Sequence, residues 1–137
     1  MPAWHALCDK WSQEGYAALT PDEKIWLNVR ALIDGTNNGG LISLYYNADA
    51  DTLPDCMAAL EQLGAHDVTH QVERVSALFP ADALPSFEAR NDVINSWDDK
   101  DPRIHDLLVE VDVALTPMLD ELEQKLDNFV RRMGLAP

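Results

Sequence analysis

The last third of the chain carries the most regular apolar pattern in the sequence. Its apolar residues recur in steps of one, three and four, which places them on one face of an α-helix. They are Ile104, Leu107, Leu108, Val111, Leu115, Met118, Leu119, Leu122, Leu126, Phe129, Val130 and Met133. The pattern keeps its phase through Pro117, although a proline inside a helix costs about 3 kcal/mol. We therefore predict one long helix over about 103–134, kinked at Pro117; a fresh helix start capped by Thr116 is the alternative.

Helix signals also divide the rest of the chain. Thr20-Pro21-Asp22-Glu23 supplies a capping hydroxyl, a proline at the first helical position and a glutamate three residues after the cap. Thr52-Leu53-Pro54-Asp55 is a similar start. Further helices are predicted over residues 4–15, from 20 to near Gly35, and over 41–47, 53–63, 66–79 and 86–96. Since no run of alternating β-branched residues is present, we predict a single all-α domain over residues 1–137.

A glycine-rich corner precedes the shortest predicted helix. Asn37, Asn38, Gly39 and Gly40 all tolerate positive φ, and an apolar-aromatic run follows that ends at Asn47. The pattern predicts a tight turn at 37–40. It also predicts a buried segment after the turn, with Leu44 and either Tyr45 or Tyr46 facing inward.

The charge balance restricts the partners of the protein. The chain has 24 acidic and 10 basic residues and a net charge of −14. Nucleic acid and anionic membranes would repel such a surface, so we expect neither as a direct partner. A basic protein, a cationic ligand or a requirement for solubility is compatible with it.

The acidic residues are concentrated in two parts of the chain. No lysine or arginine lies between Arg30 and Arg74, and a second concentration of acids runs from 98 to 127. On the last helix, several acids are predicted on the side opposite the apolar stripe, with neighbours about 5–6 Å apart. They are Asp106, Glu110, Asp120, Glu121 and Asp127. The sequence alone leaves open whether this surface binds a partner or is merely solvated.

Other features indicate a cytoplasmic protein. Cys8 and Cys56 are the two cysteines, which is too few for a disulfide framework and typical of a reducing compartment. The first residues do not resemble a signal peptide, and no apolar run approaches the roughly 20 residues that span a bilayer.

Two partial metal motifs are present. His66 and His70 share a helical face with Glu73, and His5 lies three residues before Cys8. Each arrangement is half of a zinc site without a fourth ligand. A small metal-binding domain that uses His66, His70 and Glu73 is therefore kept as an alternative, but we predict no metal and no cofactor.

A calcium loop and a nucleophilic active site are not supported. Asn47, Asp49 and Asp51 copy three positions of a calcium loop, but Thr52 and Ala58 stand where the loop requires glycine and glutamate. No Gly-x-Ser-x-Gly, Cys-x-x-Cys or phosphate-binding glycine loop occurs. We predict that the protein is not an enzyme.

Several motifs together resemble a known family. They are Leu19-Thr20-Pro21-Asp22-Glu23-Lys24, Thr36-Asn37-Asn38-Gly39-Gly40, Tyr45-Tyr46-Asn47 and the helix Met57-Ala58-Ala59-Leu60-Glu61-Gln62-Leu63-Gly64-Ala65. In this order and spacing they resemble the small acidic bacterial DNA-mimic proteins of the DMP type, which have a domain of unknown function. The resemblance covers about residues 19–97, and Leu41 stands where the family often has an aromatic residue.

The resemblance implies an all-α domain, often a homodimer, whose acidic surface imitates the phosphates of duplex DNA and occupies a DNA-binding transcription regulator. The motif residues Asn37, Asn38, Gly39, Gly40, Tyr46 and Asn47 are expected to be structural. The contact surface is expected to comprise Asp49, Asp51, Asp55, Asp98, Asp99 and Asp101. An immunity protein or antitoxin that neutralises a basic toxin, such as a nuclease, would use the same charges and is the main alternative.

Overall fold

The protein is all-α, as predicted. A computed structural model describes residues 2–97 and 101–136. It is 80% helical and contains seven α-helices, and no strand occurs within those two ranges. One hydrophobic cluster connects all the helices into a single compact domain.

The seven helices follow one another with short connections. In chain order they are α1 (Pro2–Glu14), α2 (Pro21–Gly39), α3 (Ile42–Tyr45), α4 (Leu53–Gln62), α5 (His66–Ser76), α6 (Phe87–Ser96) and α7 (Pro102–Arg132). Two 3-10 turns, Tyr16–Ala18 and Ala48–Thr52, precede α2 and α4. Helix α2 is central, because it packs against α3, α4 and α7, and α5 packs against both α4 and α7.

The start of α2 is built as the sequence predicts. The hydroxyl of Thr20 accepts the backbone N–H of Glu23 at 3.1 Å, and the Glu23 carboxylate accepts the N–H of Thr20 at 2.9 Å. Pro21 occupies the first turn. This reciprocal bonding satisfies two of the free donors at the helix end.

The end of α2 differs from the prediction. The helix does not end near Gly35: Asn37, Asn38 and Gly39 are all helical, and the chain turns only at Gly40, where φ is +80°. The glycines inside α2 serve close packing instead. A Cβ atom at Gly35 would lie 3.3 Å from the hydroxyl oxygen of Ser43, which donates to the carbonyl of Gly35 at 2.8 Å.

After the turn, the apolar run is buried as predicted. Leu44 is buried, and of the two tyrosines it is Tyr45 that faces inward, whereas Tyr46 is exposed. The Tyr45 ring stacks on Phe79 with centroids 5.0 Å apart, and its hydroxyl donates to the carbonyl of Val72 at 3.1 Å. The segment therefore joins α3 to α5 and to the chain that follows α5. The helix predicted over 66–79 ends earlier, at Ser76, although Phe79 is still buried.

Helix α7 is continuous through Pro117. Its apolar stripe is buried against α2 and α5, and Thr116 does not cap a new helix, because its hydroxyl donates to the carbonyl of Asp112 at 2.9 Å within α7. Pro117 has no N–H to donate to the carbonyl of Val113. Both residues are exposed, Val113 at 69%, so water can bond that carbonyl. The location of Pro117 on the solvent side explains why the helix tolerates it.

Gly40 is also the place where α7 meets the corner. The carboxylate of Asp112, in the first half of α7, accepts the backbone N–H of Leu41 at 2.9 Å. A Cβ atom at Gly40 would lie 2.5 Å from Oδ2 of that carboxylate. The turn thus requires glycine for two reasons, its positive φ and the close approach of Asp112.

We predict that Gly40→Ala destabilises the protein more than Gly15→Ala. Gly15 has almost the same backbone conformation (φ 88°, ψ 166° against φ 80°, ψ 166°), but no atom lies within 4 Å of its Cβ position. Gly15→Ala should therefore cost only the backbone strain, about 1–3 kcal/mol. Gly40→Ala should cost that strain plus displacement of Asp112, and urea denaturation measures both. Equal losses would show that the Asp112 contact adds nothing.

Candidate functional site

The candidate contact acids of the corner lie on the 3-10 turn Ala48–Thr52 and at the start of α4. Asn47 positions the turn, because its side-chain oxygen accepts the N–H of Asp49 at 2.9 Å and its amide group donates to the carbonyl of Ser43. Asp49 is half-buried, whereas Asp51 and Asp55 are exposed. Asn47 therefore links the end of α3 to the turn that carries Asp49.

Asp51 is bound to a fully buried arginine. Arg90 of α6 is 0% exposed, and its Nη2 donates to Oδ1 of Asp51 at 2.7 Å. The other guanidinium bonds go to backbone carbonyls: those of Tyr45 at 2.8 Å, Leu84 at 2.6 Å and Asn47 at 3.0 Å. A buried charge is tolerated only when it is paired and its donors are satisfied, and Arg90 meets both conditions. Its role is to fix the end of α3 and the corner acids to α6.

Asp55 is also engaged within the molecule. It accepts the hydroxyl of Tyr16 at 2.5 Å, and that hydroxyl accepts the side-chain amide of buried Asn28 at 2.9 Å. The hydroxyl of Thr52 donates to the other side-chain atom of Asn28, Oδ1. Burial, and then the bond to Asp55, raise the pKa of Tyr16 to about 12, so the phenol remains a donor. This network joins α2 to the turn before it and to the start of α4.

Asp49 is the corner acid with an unfavourable environment. Burial raises the pKa of its carboxyl group, and the neighbouring charge of Asp51 raises it further. It forms no ion pair with any lysine or arginine that the structure describes. Its charge is therefore held at the corner without compensation.

The remaining candidate acids lie before α7. Asp101 caps that helix, since its carboxylate accepts the N–H of Arg103 at 3.0 Å, and this bond lowers the pKa of Asp101. Asp98 and Asp99 lie outside the described residues. The structure therefore shows internal roles for Asp51, Asp55 and Asp101, and whether any of the six acids contacts a partner stays a prediction.

The acids predicted on the outer side of α7 are exposed: Asp106, Glu110, Asp120, Glu121 and Asp127. Two of them face a cation. Glu110 lies 3.2 Å from Arg74 of α5, and Glu121 lies 3.4 Å from Lys125. No described lysine or arginine forms an ion pair with the other three.

The partial metal motifs are not completed by the fold. His66 contacts Glu61, with 3.3 Å between Nδ1 and a carboxylate oxygen, and within residues 2–97 and 101–136 no three histidine, cysteine, aspartate or glutamate side chains are grouped as metal ligands. Cys8 and Cys56 are free thiols, and burial raises the pKa of both. Nor is any helix of the described chain long and apolar enough to cross a membrane.

The roles of Arg90 and Asp112 belong to no sequence motif, although the helical pattern contains a signal for each. Arg90 precedes Val93, Ile94 and Trp97 by three, four and seven residues, which places it on the inner face of α6. Asp112 likewise lies four residues after Leu108 and three before Leu115 on α7. A charged residue in register with an apolar stripe is the signal for a buried, paired charge.

Fold and charge together define a small, acidic, single-domain helical protein. A comparison with protein-family models then gives a specific result: residues 17–133 match the DMP19-like protein family. The chain belongs to that family. The match is longer than the resemblance over 19–97, because it includes the whole of α7. No curated protein and no solved structure gives a significant match.

We predict that Arg90→Met lowers the free energy of unfolding by at least about 3 kcal/mol, because it removes three bonds to backbone carbonyls and the buried ion pair with Asp51. Asp51→Asn should cost less, since the amide oxygen can still accept from Arg90. Arg103→Met is the control, because Arg103 is exposed and should change stability by less than about 0.5 kcal/mol. Denaturation in urea measures all three. A loss for Arg90→Met no larger than the control would contradict this role.

The raised pKa of Asp49 gives a second prediction. A group with a raised pKa in the folded state favours the neutral form, so its charge opposes folding above that pKa and has no effect below the unfolded pKa. Asp49→Asn should therefore stabilise the protein at pH 7, and the gain should vanish by about pH 4. Asp127→Asn removes an equal charge from an exposed position and corrects for net charge. The same gain in both variants at pH 7 would refute the prediction.

Proposed function

We propose that this protein is a non-enzymatic DNA mimic that occupies the basic surface of a DNA-binding protein, such as a helix-turn-helix transcription regulator. Its carboxylates would replace DNA phosphates on the partner's lysine and arginine side chains. One observation supports this proposal most strongly. Most of the chain's lysine and arginine side chains are engaged by groups of the protein itself, which leaves the exposed acids in excess.

Most of the basic residues are engaged internally. Six of them form ion pairs with the chain's own acids: Lys10, Arg30, Arg74, Arg90, Arg103 and Lys125. Lys24 lies over the ring of Tyr16, 4.9 Å from its centroid. With 24 acids against 10 bases, the outer surface retains a strong negative charge. Such a field accelerates association with a basic partner and excludes nucleic acid.

Helix α7 offers a linear array of this charge. Its exposed acids extend from Asp106 to Asp127, a distance of roughly 32 Å at 1.5 Å per residue. Neighbours one turn apart, such as Asp106 and Glu110, are about 5–6 Å apart. A rigid helix holds these charges in place before the partner arrives, so little conformational entropy is lost on binding.

The corner acids form a second candidate surface. Asp49 and Asp55 retain a negative charge that no described lysine or arginine pairs, while Asp51 is required by Arg90 and is unsuitable for a binding test. Asp101, together with Asp98 and Asp99, belongs to the same group of contact acids predicted from the sequence. Membership of the DMP19-like family agrees with an interaction protein, and the DNA-mimic activity is our proposal for this member.

Competition with operator DNA tests the proposal. We expect the protein to displace a labelled operator duplex from a helix-turn-helix regulator, measured by fluorescence anisotropy, and to lose affinity between low and moderate salt. Three variants each remove three charges. The α7 set is Asp106→Asn, Asp120→Asn and Asp127→Asn; the corner set is Asp49→Asn, Asp55→Asn and Asp101→Asn; and the control set is Asp9→Asn, Glu14→Gln and Asp82→Asn.

The set that forms the contact surface should weaken binding at least about tenfold, and the control set should not. Equal loss in all three sets would mean that only net charge matters, and affinity that ignores salt would exclude phosphate mimicry. Tight binding to a nuclease toxin, with no displacement of DNA from any regulator, would favour the immunity-protein alternative instead.

A further inference from the structure

A cleft of about 450 Å³ lies beside the corner, between α1, the second half of α2 and the segment from α3 to Asp49. Its lining combines two features, aromatic rings and carboxylates. The aromatic residues are Trp4, Trp11 and Tyr46, and the carboxylates are Asp34 and Asp49. No lysine or arginine of the described chain lines it.

The glycines of α2 create the space at the floor of this cleft. Gly35 and Gly39 are one helical turn apart, and both line the cleft. A Cβ atom at Gly39 would lie 3.5 Å from the hydroxyl oxygen of Tyr46, so the Tyr46 side chain reaches across the end of α2. Ser43 holds this wall in place through its bonds to the carbonyls of Gly35 and Gly40, each at 2.8 Å.

The aromatic wall on α1 is fixed on one side and open on the other. Trp4 packs on the buried Trp26, with ring centroids 5.4 Å apart. Trp11, two turns later on the same face, is 41% exposed, and Tyr46 opposite is 43% exposed. Cys8 lies between the two tryptophans, and burial raises the pKa of its thiol, so it adds no charge to the wall.

The carboxylates give the cleft a negative charge that the fold does not neutralise. Asp49 has no ion-pair partner among the described lysines and arginines, and burial raises the pKa of its carboxyl group. Asp34 is 3.4 Å from Nε of Arg30, but that guanidinium also binds Glu123 at 3.1 Å. A cation in the cleft would therefore lie near two carboxylates. Asp49 has no ion-pair partner among the described residues, and Asp34 shares the Arg30 guanidinium with Glu123.

We propose that this cleft binds an organic cation, a primary ammonium or guanidinium group, between Trp11 and Tyr46 and beside Asp49. Aromatic faces attract such groups through the ring quadrupole, and a neighbouring carboxylate adds a direct charge pair. A metal ion would gain little from the rings, whereas an organic cation contacts rings and carboxylate together. The group can come from a free amine or from a lysine or arginine side chain of a bound protein. The site shares Asp49 with the corner set of the DNA-mimic test, but it is a recess and not an array of surface charges, and its own test contains no regulator.

Titration of the full-length protein with putrescine and with arginine amide tests this site. The readout is the indole N–H resonances in ¹H–¹⁵N spectra, recorded at constant ionic strength because a protein of charge −14 attracts any cation. We expect saturable shifts of the Trp4 and Trp11 resonances and none of Trp97. Potassium chloride and 1,4-butanediol are the control probes for a simple cation and for an uncharged chain.

Matched variants identify the contacts. Trp11→Ala and Asp49→Asn should each weaken binding by about tenfold, the size expected for the loss of one cation–π or ion-pair contact. Phe87→Ala removes a similarly exposed aromatic side chain (48%) outside the cleft, and Asp127→Asn removes an equal charge on α7; neither should alter binding. Unchanged circular dichroism spectra exclude unfolding as the cause.

The source of the cation is decided by comparing free amines with a short arginine-containing peptide. Saturable shifts with the free amines support a small-molecule ligand. Shifts of the same indoles with the peptide alone support a side chain of a protein partner. The proposal is overturned if neither probe shifts Trp4 and Trp11, if the Trp4 shift persists in Trp11→Ala, or if both shifts persist in Asp49→Asn. Since no regulator is present, a negative result here leaves the DNA-mimic proposal unaffected.

Discussion

The buried guanidinium of Arg90 is the interaction on which the corner of this structure depends. It comes from α6, and it binds three carbonyl groups and one carboxylate that lie 6 to 45 residues earlier in the chain. Tyr45 is the last residue of α3, Asn47 precedes the 3-10 turn Ala48–Thr52, and Leu84 lies between α5 and α6, so these carbonyls lie where the helices are interrupted. The arginine donates to all three, and Asp51 neutralises its charge at a position that still reaches water. Burial of a cation in a small domain is favourable here because one guanidinium group bonds the carbonyl groups of several backbone segments at once.

Asp112 connects the same region to α7. Its carboxylate caps the backbone of Leu41, just after the turn at Gly40, and it leaves no room for a side chain there. The corner is thus held from α6 by a cation and from α7 by an anion. Both charges bind backbone groups that the turn leaves free, and both come from helices that follow the corner in sequence. The chain from Gly40 to Asn47 is therefore held by contacts from both α6 and α7.

The dependence of the corner on residues of α6 and α7 explains which parts of the fold could be predicted from the sequence. The capping box at Thr20 and the apolar stripe of α7 are local patterns, and their interpretation as helix start and long helix was confirmed. The turn predicted over Asn37–Gly40 lies only at Gly40, because Asn37, Asn38 and Gly39 continue α2. Asp112, which binds the backbone just after that turn, is 71 residues from Leu41. Three of the four bonds of Arg90 and the bond of Asp112 span 39 or more residues. Their places in the apolar registers of α6 and α7 signal burial, but no local pattern names their partners.

The acids named here therefore form two groups, according to whether they bind a donor of the protein itself. Asp51, Asp55, Asp101 and Asp112 bind donors of the chain itself, and this fixes their positions. Asp106, Asp120 and Asp127 bind none of the described cations and add only repulsion to the folded state. Those carboxylates are held along one helix, whereas the ion pairs of the chain's own cations are formed with other acids: Glu23, Asp34, Asp51, Asp101, Glu110, Glu121 and Glu123. Repulsion among these acids opposes folding, yet the helix that carries them is ordered. A basic partner would stabilise this arrangement by binding, since association relieves the repulsion among the acids.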